Sequence, residues 1–291
     1  MENMREEEEP NSEVAFYYPK SILKMTPSSS FKLKSRRHAR SISFPSRPQP
    51  VFHHLEEQLN RLSDSETYST SLSFLGDRLS FLQDLYVSVD DLIQMPHIQQ
   101  SLTSVQASKG TLTDDSYIKI LDACTVTKDI FSQAKHDVQE LLSSLRRKKD
   151  ATDASGTFLA SRKKAKKTIQ KALKDIKNIK ISERADQLEA ICLLNNVQSV
   201  TVCVLESSLS YVMGTKAHSS FVSKLIHNKC KEASQNEFDQ MNEALIVPDI
   251  EIIQRQLEKM QLKIQDIEEG LNCLFKHLIK TRVSLLNMLS Y

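Results

Sequence analysis

The chain has 291 residues, 40% of them hydrophobic and 26% charged, with a formal net charge of +2. That balance belongs to a globular protein with a sizeable core in one or two domains, and it excludes both a wholly disordered chain and one drawn to polyanions by net charge alone. Only five glycines occur, and beyond Pro50 only Pro96 and Pro248 interrupt the chain, so the reading is all-α: an elongated multi-helix bundle with long heptad-patterned helices and a disordered N-terminal tail.

Residues 1–50 hold six of the eight prolines, and from Lys20 to Pro50 there are eight basic residues and no acidic one, which predicts a disordered basic Ser/Pro-rich tail. Its acidic start, Glu6 to Glu9, is the opposite of a secretory leader, and no uninterrupted apolar run approaches the roughly 18 residues that span a bilayer. The expected address is cytoplasmic, with the nucleus or a membrane surface as further places and secretion excluded. The helical bundle domain is expected over 51–291.

Its first helix opens after Pro50 with Leu55, Leu59 and Leu62 on one face. A second runs from Thr70 to Pro96, with Leu72, Leu75, Leu79, Leu82, Tyr86, Val89 and Ile93 three and four apart. A polar segment around Lys109-Gly110 separates it from a third, capped by Asp114, whose stripe runs from Tyr117 to Leu145. The small, polar stretch Asp150 to Gly156 reads as a linker. A lysine-rich helix follows, with Ala165, Ile169, Leu173 and Ile176 along one side. Ser182 to Val212 is the most apolar segment and is placed at the bundle's centre. Strand propensity around Val197 to Leu205 competes there, but no turn or partner strand supports it; Gly214 is a natural helix terminator. Another helix is expected over Ser219 to Glu243. Asp249 then caps the clearest one, with apolar positions from Ile250 to Leu289 extending about 60 Å. Its seven-residue repeat suggests supercoiled packing, either against the Leu72 to Ile93 helix, which is favoured, or in a homodimer.

Two segments carry functional signals. In the tail, Arg40, Ser41, Ser43 and Pro45 form an R-S-x-S-x-P arrangement: basic residues suit a basophilic kinase, phosphoserine at 43 suits an arginine-lined reader, and the proline turns the peptide away. The pattern resembles the ligands of 14-3-3 proteins, although serine, arginine and proline are common in such tails. In the basic helix, Arg162, Lys163, Lys164, Lys166, Lys167, Lys171, Lys174, Lys177 and Lys180 meet little acid. A solvated bundle face is the plainer reading, and a basic amphipathic helix on an anionic membrane the sharper one. No aromatic residue stands in that run to stack bases, which argues against specific nucleic-acid recognition.

Catalytic and metal signals are weak. His53 and Glu57 lie four apart on a helix with no second ligand pair, and Ser21 with Lys24 matches the letters of a nucleophile motif in a tail that holds no geometry. The glycines never form a phosphate loop, so neither cofactor nor enzyme activity is expected. Cys124, Cys192, Cys203, Cys230 and Cys273 are widely spaced and read as reduced, small core residues.

Three segments taken in order resemble one plant-specific, Arabidopsis-type family of proteins of unknown function related to the BYPASS proteins: His38 to Pro48, the helices Glu56 to Leu62 and Leu85 to Leu92, and the block from Ile267 to Asn287. The resemblance implies a plant protein tied to root and shoot development, without assigned enzyme chemistry and without catalytic residues to carry over.

Overall fold

The computed structural model describes residues 50–64, 71–109, 115–147, 151–181, 188–214, 236–245 and 249–289, all within one compact unit spanning 47–291. They form eight α-helices and no strand: α1 (Pro50–Asp64), α2 (Leu72–Gln94), α3 (Pro96–Lys109), α4 (Ser116–Arg146), α5 (Ala151–Lys177), α6 (Glu189–Met213), α7 (Glu237–Ala244) and α8 (Ile250–Leu289).

The centre of the bundle is α8 lying between α4 and α2. Its row Ile253, Leu257, Met260, Ile264, Ile267, Leu271, Leu274, Leu278 and Leu285 is buried throughout, whereas Ile250 at the start is exposed. The whole expected stripe of α2 is buried opposite it, and so is that of α4 apart from the half-buried Leu121. The partner that the repeat calls for is therefore found within the chain. Gly270 sits where α8 passes close to α2: a Cβ there would meet the Leu79 Cβ at 3.2 Å. Polar ties fix the register, with Lys135 paired to Glu268 and Arg146 Nη2 2.6 Å from Glu258 Oε1.

Helix α5 packs on α4 and α6, and α6 also meets α1 and α2. Despite its β-branched residues α6 is a helix, because Val197, Val204, Leu205 and Leu209 all gain burial there, and burial outweighs a propensity difference of a few tenths of a kcal/mol per residue. Among the described helices it is the one long and apolar enough to cross a bilayer by length and composition, yet half of that window is buried inside the fold.

The caps are partly as expected. The Ser71 hydroxyl accepts from Phe74 N–H at 3.2 Å, and Asp249 Oδ1 accepts from Ile252 N–H at 3.3 Å. Gly214 ends α6 in the left-handed region at φ 79°, a conformation that favours glycine. Asp115 occupies the N-cap of α4 without a side-chain bond, and Asp114 lies outside the described residues.

Three expectations fail here. The segment after Pro96 is a helix, α3, and not merely a polar connection. Proline at a first helical position loses no bond, Ile98 and Leu102 are buried one turn apart, and the Ser101, Thr103 and Ser104 hydroxyls bond back to carbonyls four residues earlier. Of the linker expected near 150–156, residues 151–156 are instead the start of α5, which passes through the exposed Gly156 toward the buried anchor Phe158, and residue 150 lies outside the described residues. Finally, only Cys124 of the described cysteines is in the core; Cys192 and Cys203 are half-buried, Cys273 is exposed, and none of the four is in a disulfide. Of the helix expected over Ser219 to Glu243, residues 219–235 lie outside the described residues, and the remainder belongs to α7.

Candidate functional site

Arg40, Ser41, Ser43 and Pro45 lie outside the described residues, as do Ser21 and Lys24. His53 and Glu57 are both exposed on α1, and Glu57 is taken by Arg61, 2.7 Å away, so the two do not converge on a metal. No group of three or more His, Cys, Asp or Glu with metal-holding geometry occurs among the described residues.

The basic face of α5 is well formed. Phe158, Ile169, Ala172, Leu173 and Ile176 are buried against the neighbouring helices, and this inward stripe turns Lys163, Lys164, Lys167, Lys171 and Lys174 outward. Lys166 is half-buried at the flank. Lys177 lies 3.7 Å from Glu206 of α6, while no described acid pairs with the other six. The apolar side of α5 is thus largely committed to the core, and what it presents to solvent is charge, with Leu159 the one large apolar side chain exposed beside it.

Arg162 departs from its lysine neighbours. The sequence places it in the same basic run, but it is only 3% exposed. Its spacing from Phe158 and Ile169 puts it on the apolar stripe, and this periodic signal is enough to separate it from the solvated run. Its Nη2 donates to the Val212 carbonyl at 2.7 Å, satisfying an acceptor in the last turn of α6, and its guanidinium lies 4.3 Å from the centre of the Phe238 ring. Burial lowers its pKa to about 10 against the opposing pull of Asp239 and Asp137, so the cation is held at some cost. Two of its nitrogens, Nε and Nη1, have no bond.

Around this arginine, α7 is clasped by directional contacts. Asn236 Nδ2 donates to the Tyr211 carbonyl at 2.9 Å, and the Glu237 N–H donates to the Tyr211 hydroxyl at 3.1 Å. The Glu237 carboxylate accepts from the Leu72 N–H at the start of α2 and from Lys263 Nζ of α8, each at 3.2 Å. Asp137 of α4 accepts from Ser161 of α5 at 2.6 Å, closing the other side.

A second polar cluster ties α2 to α8. Asp90, 5% exposed, has Oδ2 3.0 Å from Lys280 Nζ and 3.9 Å from His277 Nδ1, while Thr281 donates to Oδ1 at 3.3 Å. The His277 ring stacks on Tyr86, whose hydroxyl bonds Thr201 of α6 at 3.0 Å. Burial raises the Tyr86 and Tyr117 pKa values well above the ordinary one, and it pushes the Cys124 thiol up to about 12, so all three stay neutral. The cluster has one carboxylate and one imidazole: Asp90 reaches Lys280 and Thr281 of α8, while His277 contributes its stack on Tyr86 and its Nδ1 makes no hydrogen bond.

Two grooves accompany these clusters. One of about 510 Å³ runs between α1 and α6, with Glu56 its single titratable lining residue; the other, about 150 Å³, lies between α7 and α8 and is crossed by the Lys263–Glu237 pair. Neither is lined by a histidine or a cysteine. Searches among curated proteins and among solved structures yield no match. A family profile described as "Protein BPS1" matches residues 78–288, from Arg78 of α2 to Met288 of α8, and thus takes in the central seam, the basic face and the arginine clasp. The chain belongs to the BPS1 family.

Proposed function

We propose that this protein is a non-enzymatic helical regulator acting in plant root and shoot development through protein contacts, with its N-terminal tail as a phosphorylation-dependent docking segment. The observation that carries the reading is the tail arrangement Arg40, Ser41, Ser43, Pro45, in which every position suits a basophilic kinase followed by a 14-3-3 protein. Family membership supports the developmental part, through the resemblance to the BYPASS proteins. The folded residues support the non-enzymatic part: Arg162 and Asp90 tie helices to one another, and neither groove is lined by a histidine or a cysteine. The setting is the cytosol, where kinase and reader both meet the tail.

The test is capture of the full chain by 14-3-3 protein after treatment with a basophilic kinase. Binding should follow phosphorylation at Ser43 and disappear in Ser43→Ala, while Ser41→Ala keeps most of it. Capture that is indifferent to both phosphorylation and Ser43 removes the docking role.

A further inference from the structure

We infer that the outward face of α5 is a docking surface for anionic lipid headgroups, held by charge alone and without insertion into the bilayer. At 100° per residue, Lys163, Lys164, Lys167, Lys171 and Lys174 fall within an arc of about 100° centred opposite the buried stripe, along about 17 Å of helix. Solvent-facing helices ordinarily alternate acids and bases four residues apart, an arrangement that stabilises them. Here Lys163, Lys167 and Lys171 repeat at that spacing and repel one another, relieved only at the end by Asp175. The fold draws no ion pair from these five side chains, so a concentration of like charge is maintained that the packing of α5 does not require.

The chemistry of the face selects its partner. It is a single convex helix side and not a groove, and all of its cations are lysines: point charges on flexible stems, without the rigid fork by which arginine grips a phosphate or a base edge. No aromatic ring stands among them to stack a base. A fluid array of phosphates and carboxylates that adjusts to the lysines fits such a face better than a nucleic acid of fixed phosphate spacing. Because Phe158, Ile169, Leu173 and Ile176 are in the core, Leu159 is the one large apolar side chain α5 leaves exposed, too little to anchor it in the hydrocarbon as the apolar face of a free amphipathic helix would. Attachment is therefore governed by screening. This inference stands independently of the tail and of Ser43.

The experiment is sedimentation of the full chain with vesicles of phosphatidylcholine alone, with added phosphatidylserine, or with added phosphoinositide. The chain should pellet only with the anionic vesicles and be released at about 0.5 M salt, where charges are screened within a few ångströms. With each lysine contributing about fivefold, the triple variant Lys163→Gln, Lys167→Gln, Lys171→Gln should bind about a hundredfold more weakly. A control carrying Lys119→Gln, Lys259→Gln and Lys276→Gln, exposed lysines of α4 and α8, has the same net charge and should pellet like the wild type. Circular dichroism of both variants checks that the fold is kept. Equal pelleting with neutral and anionic vesicles, equal loss in the two variants, or preferential capture by random-sequence duplex DNA with no vesicle binding would each overturn the inference.

Discussion

Where α8 lies between α2 and α4, the contact is a continuous row of buried aliphatic side chains at seven-residue spacing, closed by surface ion pairs such as Arg146 with Glu258. Where α5, α6 and α7 meet, the apolar contact is shorter, and directional bonds from Arg162, Asn236 and Glu237 hold the pieces in place. Periodic burial is additive and non-directional, so the first region tolerates conservative exchange at any single point. The second depends on individual atoms in individual positions, and one substitution removes a connection for which no neighbour substitutes.

That contrast is open to direct attack. The largest effect is expected in the seam: Phe131→Ala, at a fully buried site on α4, should lower unfolding free energy by about 3–5 kcal/mol in a urea titration, while Leu274→Met should change it by less than about 1.5 kcal/mol. In the clasp, Arg162→Ala should cost about 2–3 kcal/mol through loss of a charged hydrogen bond to the Val212 carbonyl, and Arg162→Lys should fail to restore it, because an ammonium lacks the planar group that covers Phe238. Equal stability of the Lys variant and wild type would show that only charge matters there.

Alkali separates the regions differently. The Cys124 thiol has an unfolded pKa of 9.0 and a folded one of about 12, so ionisation favours the unfolded chain. The associated stability is fully present below about pH 9 and should fall by about 1.4 kcal/mol per pH unit as pH rises toward 12. Tyr86 and Tyr117, raised in the same sense, steepen the loss above pH 10. Cys124→Ala should flatten the first part of that profile. The smallest effect concerns the end of α6: Gly214→Ala should cost about 1 kcal/mol from its positive φ, and somewhat more if the Asp239 carboxylate does not move aside. Adding Asp239→Ala should return the excess.

The two regions also differ in how far the sequence reveals them. The seam is legible because one physical rule, burial at helical spacing, determines every position from Leu72 to Ile93 and from Ile253 to Leu285. Helix α3 is hard to read in the sequence because its apolar side consists mainly of Ile98 and Leu102 amid serines and threonines whose hydroxyls satisfy carbonyls locally. The start of α5 was obscured by Gly156 and its small polar neighbours, since its helical state is imposed by Phe158 and by packing on α4. Of the candidate site, the lysine positions were readable as a face. Arg162 could be told from them by its place on the apolar stripe, but its partner could not, because Val212 is fifty positions away and long-range pairing leaves no local trace.

The position of Arg162 bears on where the charge of α5 is aimed. A helix docked by a narrow stripe has freedom to roll about its own axis, and a guanidinium pinned to the last turn of α6 removes it. The azimuth of the lysines is thereby set from a distant part of the chain. A change at Val212 or Gly214 that shifted that carbonyl would steer the positive side toward another compass bearing without altering one lysine.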